Sequence, residues 1–179
     1  MFNLLFLCTG NSARSILAEA ILNKAGAGRF SGFSAGSNPV GKVNPMTLNF
    51  LRTLGYSVDH LRSKPWDKFS GSESPKLDLV ITVCDNAAGE SCPIWHGQPK
   101  RSHWSTPDPA AIQSTREEQT AAFATAYKML EVKIIALTEL PIEDLPPSEL
   151  ETHLVRIAAI TIPPMIPTNL SLVSGLTSK

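Results

Sequence analysis

The chain has 179 residues, and its 16 basic and 16 acidic side chains leave no net charge. That balance excludes bulk electrostatic attraction to nucleic acid or to an acidic membrane, so any affinity for anions must be local. Hydrophobic residues make up 42% and charged residues 18%, which suits one globular domain with a core of its own, and no apolar run approaches the roughly 20 residues that span a bilayer. No signal peptide is visible, which leads us to expect a cytoplasmic protein. Three cysteines without framework spacing then read as reactive thiols rather than structural disulfides.

In chain order, residues 2–7 read as a buried strand and residues 12–26 as a helix with Ile16, Leu17, Ala20 and Ile21 at helical spacing. Residues 29–35 form a second expected strand. Asn44 as N-cap, Pro45 at the first helical position and Gly55 at the far end punctuate the next helix, with Leu48, Leu51 and Leu54 as core. Residues 63–75 read as irregular or weakly helical. The third strand, residues 77–83, is β-branched and apolar and runs into Cys84. Residues 85–98 read as a mobile loop with at most one helical turn, and residues 100–104 as a short fourth strand. A long helix is expected from Ser114, opened by a Ser114-x-x-Glu117 capping box, to about Glu139. A second box, Ser148 to Glu151, opens a short helix carrying Leu150, Leu154 and Ile157. Residues 161–179, with three prolines followed by a Ser/Thr-rich run, read as a loosely held tail.

Short apolar strands separated by helices argue a parallel sheet with helices on both faces. Ligands of such sheets lie at the carboxyl ends of the strands, and Cys8, Cys84 and Asp108 all fall at that edge.

Between the first strand and first helix runs Cys8-Thr9-Gly10-Asn11-Ser12-Ala13-Arg14-Ser15. A tight strand-to-helix loop gathers backbone N–H groups into a cradle for tetrahedral anions. Five residues between Cys8 and Arg14 allow the sulfur to lie beneath the anion's central atom while the guanidinium grips two of its oxygens. The same field predicts a Cys8 pKa lowered into the ~3.5–7.5 range and hence a thiolate nucleophile. Asp108, fixed between Pro107 and Pro109, reads either as a turn aspartate or, beside such a loop, as a general acid for a departing oxygen. Cys84 and Cys92 match neither a C-x-x-C redox motif nor a zinc pair; a loop cysteine and a strand-end cysteine can join if the loop moves.

These residues, together with Ser34-Ala35-Gly36, Val83-Cys84-Asp85, Cys92-Pro93 and His103-Trp104, make the chain resemble the arsenate reductases built on the low-molecular-weight protein tyrosine phosphatase fold, over about residues 1–140. The resemblance implies a three-layer α/β sandwich around a four-stranded parallel sheet; beyond its reach, residues 141–160 read as a short helical extension and residues 161–179 as a flexible tail without a counterpart in the family. It implies that Thr9 to Ser15 bind arsenate or phosphate, that Cys8 attacks the arsenic, and that Asp108 protonates the leaving hydroxide. Cys84 and Cys92 then carry the oxidation outward as a disulfide relay. No tightly bound cofactor is implied, only an external thiol reductant such as thioredoxin, and a potassium ion held near Asn11, Glu19 and Ser34. Ala13 stands where many relatives carry a second loop cysteine, and Ala110 and Ala111 stand where phosphatases of this fold carry an aromatic platform. Two other readings remain open: a phosphatase cleaving phosphomonoesters through a phosphocysteine, and a sensor binding arsenicals through its thiols, which gives Arg14 and Asp108 no task.

Overall fold

The computed structural model describes residues 1–90 and 93–164. Four parallel strands, β1 (Phe2–Cys8), β2 (Phe30–Gly36), β3 (Leu79–Thr82) and β4 (Lys100–His103), form one sheet in the order β2-β1-β3-β4. The helices are α1 (Arg14–Ala25), α2 (Pro45–Thr53), α3 (Asp85–Ala88), α4 (Arg116–Thr138) and α5 (Pro147–Ala158).

β1 is buried on both sides because its alternate residues serve two layers. Leu4 and Phe6 join Ile16, Leu17, Phe123, Leu130 and the apolar stripe of α5. Leu5 and Leu7 join Phe69, Val80 and Trp95 on the opposite side. The first layer is built of long helices; the second comprises a 3₁₀ turn over Trp66–Phe69 and the loop that carries Trp95. Each large side chain buried here stabilises the fold by about 2 kcal/mol. Beneath the site, Trp104 is fully buried and packs its ring 6.2 Å from that of Phe6.

The strand order sets where chemistry can occur. From β1 the chain turns outward to β2, whereas β3 and β4 build on the other side, so the crevice at the carboxyl ends of β1 and β3 is the topological switch point. Leu7 lies opposite Thr82 and Cys8 opposite Gly36. Cys8 and the residues following Thr82 therefore emerge side by side.

Several expected boundaries shift for local reasons. α1 begins at Arg14 rather than at residue 12, because the preceding residues are held in a loop with Asn11 at φ 43°. The cap of α4 is Thr115, whose hydroxyl accepts from the Glu118 amide at 3.2 Å, and Ser114 instead donates its hydroxyl to the Glu118 carboxylate. α5 starts at Pro147, whose fixed φ suits a first helical position, rather than behind a Ser148 cap. The Asn44 cap is as expected, with Oδ1 accepting from the Met46 amide at 2.8 Å, and Gly55 supplies the left-handed turn after the helix at φ 73°. Leu51 and Leu54 are buried, while Leu48 packs partly against the core. Toward the end of the stretch expected to be a mobile loop, the chain is tied to the fold: Trp95 is buried, and the Leu77 amide donates to the His96 carbonyl at 3.1 Å. Of the expected tail, residues 161–164 run without helix or strand, and residues 165–179 lie outside the described residues.

Candidate active site

Loop 9–13 is shaped by what its carbonyls do. The carbonyls of Thr9, Gly10 and Ser12 each accept an outside amide at 3.0 Å, from Asn38, Val40 and Asn44 respectively, and the Thr47 hydroxyl donates to Ser12 as well. With those carbonyls tied outward, the loop's N–H groups are left for its concave side, the arrangement that favours an anion. Gly36 makes the close approach of β2 tolerable, since a Cβ there would run into the Thr9 carbonyl oxygen.

Cys8 closes β1 with its sulfur under this loop. The Asn11 amide donates to Sγ at 3.1 Å, and Sγ and the Ser15 hydroxyl are 2.9 Å apart. Asn11 is fully buried in the left-handed region, which asparagine tolerates better than most residues. Its side chain holds it there. Nδ2 donates to Ser15 and Ser34 at 2.9 Å each, and Oδ1 accepts from the Lys64 amide at 2.7 Å.

The expected lowering of the Cys8 pKa is reversed. Cys8 is only 3% exposed, and burial pushes its thiol above the usual range; the donors Ser15 and Asn11 pull it back without overcoming that burial. Arg14 is occupied elsewhere: Nη1 donates to the Thr106 carbonyl at 3.2 Å and Nη2 to Asp108 Oδ2 at 2.9 Å. A raised pKa keeps the thiol protonated at neutral pH, so the thiolate fraction grows about tenfold per pH unit throughout that range. Alkylation of Cys8 by iodoacetamide should therefore keep accelerating beyond pH 8, and Ser15→Ala should displace the profile further upward. A plateau already reached at pH 7 would contradict this.

Arg14 and Asp108, read separately in the sequence, meet as an ion pair across the mouth of the loop. Asp108 also accepts from the Ala110 amide at 3.1 Å, which fixes its carboxylate at the start of a short 3₁₀ turn, Pro109–Ala111. Cys84 follows β3 with only Val83 between them and is 2% exposed. Its sulfur accepts from the Ala87 amide at 3.4 Å and lies 3.7 Å from the Thr9 hydroxyl. A second buried thiol thus borders the Cys8 loop. Cys92 lies outside the described residues.

Asn11, Glu19 and Ser34 do come together, around a partner that the sequence does not announce. The Ser34 hydroxyl donates to the Glu19 carboxylate, and Lys64 Nζ reaches the same carboxylate at 3.4 Å. With Asn11 turning its amide nitrogen, a donor, on Ser34, and an ammonium already balancing Glu19, these residues fit a built-in cation rather than a potassium ion. Added potassium should change wild-type activity less than about twofold, since an exchangeable cation has no charge left to balance. Lys64→Met should lower thermal stability by roughly 3 kcal/mol, the cost of leaving a buried carboxylate unpaired. A steep potassium dependence in the wild type would contradict this reading.

One further pair was not foreseen. His103 Nε2 is 3.0 Å from Asp85 Oδ1, and its Nδ1 is 2.8 Å from the Thr82 hydroxyl. Hydrogen bonds from Ser105 and then His103 hold the Asp85 carboxyl below its usual range. The pair ties the first residue of α3 to the sheet edge.

An anion cradle with a cysteine at its base, an arginine on its rim and an aspartate across the mouth defines a class of phosphate-type enzymes. Residues 3–146 match the family model for low molecular weight phosphotyrosine protein phosphatase, and the chain belongs to that family. Its curated relatives place it beside the family's arsenate reductases. The arsenate reductase of Bacillus licheniformis is 37% identical over 118 residues, 66% of this chain and 81% of the relative. That of Bacillus subtilis is 36% identical with the same shares. Among solved structures, an arsenate reductase in the phosphate binding state superposes with a TM-score of 0.63 at 26% identity, covering 77% of this chain and 97% of the other. Among the described residues no helix is long and apolar enough to cross a membrane.

Proposed function

We propose that this chain reduces arsenate to arsenite with Cys8 as nucleophile and Cys84 and Cys92 as successive resolving thiols. The observation that carries the reading is the buried Cys84 thiol beside the loop, bonded to Thr9 at 3.7 Å; ester hydrolysis needs no such group. Arsenate enters the loop against the N–H groups of residues 9–15, and Arg14 leaves the Thr106 carbonyl to take two oxygens of the anion. Because Cys8 rests as a thiol, its proton passes to the dianion as the sulfur attacks. An As–S bond forms and an As–O bond breaks; Asp108, released when Arg14 turns to the anion and then protonated from solvent, supplies the proton that lets oxygen leave as water. Cys84 as thiolate then attacks the Cys8 sulfur. The S–S bond forms, the electron pair of the As–S bond goes to arsenic, and arsenic leaves as As(III). Cys92 attacks Cys84, frees Cys8, and leaves a Cys84–Cys92 disulfide for an external dithiol of the thioredoxin kind to reduce.

The test is a single turnover: reduced protein, one equivalent of arsenate, no added thiol, then alkylation and peptide mapping. Alkylated Cys8, a Cys84–Cys92 disulfide and one equivalent of arsenite are expected. Three alkylated thiols with unchanged arsenate would overturn the reading in favour of a phosphomonoesterase, for which Cys8, Arg14 and Asp108 suffice.

A further inference from the structure

Cys84 stands at a junction with little beyond it to hold it in place. The chain reaches it from β3, where the Val83 amide still donates to the Leu7 carbonyl at 2.8 Å. After it comes α3, four residues long, in which Ala87 alone is buried. A helix of one turn does not hold itself together. The Cys84 sulfur nevertheless faces the Cys8 loop, 3.7 Å from the Thr9 hydroxyl, and a swing of α3 about the junction would carry it away.

A chain of polar contacts ties the far side of that junction back to the sheet. His103 ends β4 and lies opposite Thr82 in the parallel ladder. Its backbone is secured by the next residue, Trp104, which is fully buried and whose amide donates to the Thr82 carbonyl at 2.8 Å. Asp85 opens α3, and its carboxylate can only accept, so His103 Nε2 carries the proton that bridges the 3.0 Å to Oδ1. Nδ1 of the neutral ring is then free to accept from the Thr82 hydroxyl at 2.8 Å, which sets the plane of the ring. Ser105 hydrogen-bonds the same carboxylate. The His103 and Asp85 side chains are 38% and 76% exposed, and exposed pairs add little to global stability. Their effect is local: they keep α3, and Cys84 with it, turned toward the edge of the sheet.

We propose that His103, acting through Asp85, is a positioning residue that holds the Cys84 sulfur at the Cys8 loop for attack on the Cys8 sulfur. The proposal rests on the reading of Cys84 as the resolving thiol. His103 contacts Thr82 and Asp85 rather than either sulfur, so it leaves the first attack alone. It governs how often the second thiol is in place, a matter of orientation in which small displacements cost large factors in rate. Asp85 requires only a donor. Glutamine, which presents an amide N–H at similar reach, can therefore replace the imidazole, and leucine cannot.

The experiment uses the full chain carrying Cys92→Ser, so that a Cys8–Cys84 disulfide persists once formed, and adds His103→Leu or His103→Gln. Diamide is the oxidant: it takes two electrons and two protons from the two thiols and becomes a hydrazine as the S–S bond forms, with no arsenic involved. Quenching and peptide mapping give the rate of disulfide formation, and iodoacetamide without diamide labels Cys8 and Cys84 separately. His103→Leu should form the disulfide roughly tenfold more slowly, with Cys84 labelled severalfold faster and Cys8 at an unchanged rate. His103→Gln should stay within about twofold of the parent in all three rates, because the donor is kept. Disulfide formation at the parent rate in His103→Leu overturns the proposal, as does a glutamine variant as slow as the leucine one. Slower disulfide formation with faster labelling of Cys8 as well would show general loosening and overturn a positioning role. A parent that forms no Cys8–Cys84 disulfide under diamide overturns it too, since Cys84 is then not held at Cys8. A parent that forms the disulfide with diamide but not with arsenate strikes the function proposed above and leaves the positioning to stand on the diamide rates.

Discussion

Cys8→Ser should abolish both arsenate reduction and aryl phosphate hydrolysis, each by about 10⁴-fold or more, as removal of an essential nucleophile does elsewhere. The hydroxyl retains the contacts available to the sulfur, the Asn11 amide at 3.1 Å and Ser15 at 2.9 Å, so the loop should keep its shape. Phosphate or arsenate should still bind, measurable by calorimetry, because the cradle is made of backbone amides and Arg14 rather than of the sulfur. Oxygen at this position is far less ionised and cannot form the As–S bond whose electrons reduce arsenic. Binding kept while chemistry is lost is the expected signature; loss of binding as well would mean that the sulfur organises the loop.

Cys84→Ser should stop catalytic reduction of arsenate while hydrolysis of p-nitrophenyl phosphate continues at the wild-type order of magnitude. The two reactions share the first attack and part afterwards, since water can release a phosphocysteine but reduction needs a second thiol. Serine in place of Cys84 keeps an acceptor for the Ala87 amide and a neighbour for the Thr9 hydroxyl, the contacts the sulfur makes now. Steady-state rates on both substrates read the outcome directly. Sustained arsenate turnover at the wild-type rate in this variant would overturn the relay.

The parts of this molecule that are legible in its sequence are those encoded locally. β1 and β3 stand out as apolar runs, Asn44-Pro45 announces α2, and Leu150, Leu154 and Ile157 fall on one buried face of α5. The cradle is legible because Cys8 and Arg14 lie on one short loop between a strand and a helix. Asp108 is legible as a constrained aspartate, but its pairing with Arg14, 94 residues away, is not. Lys64 shows the limit most plainly. It sits in a stretch without periodicity, and its approach to Glu19 depends on how residues 62–65 run along the end of β2, where the Gly36 amide donates to the Lys64 carbonyl at 2.9 Å. The direction of the Cys8 shift was missed for a related reason. Sequence displays the donors around a thiol but not the depth at which the fold places it, and here depth prevails. The cap of α4 lies one residue beyond the expected Ser114-x-x-Glu117 box, because Thr115-x-x-Glu118 has the same spacing and is the pair the helix uses.

The sulfur of Cys84 caps α3, a helix of four residues. A helix so short has almost no cohesion of its own, and it depends on that cap and on the tie from His103 to Asp85. A sulfur drawn into a disulfide changes its direction and its capacity to accept the Ala87 amide. The oxidation state of one atom thereby becomes a folding variable for the segment that follows it. Chymotrypsin cleavage after Trp95, the one aromatic residue within residues 85–98, should then be faster when Cys84 is held in a disulfide than when it is a free thiol, and equal rates in the two states would contradict this.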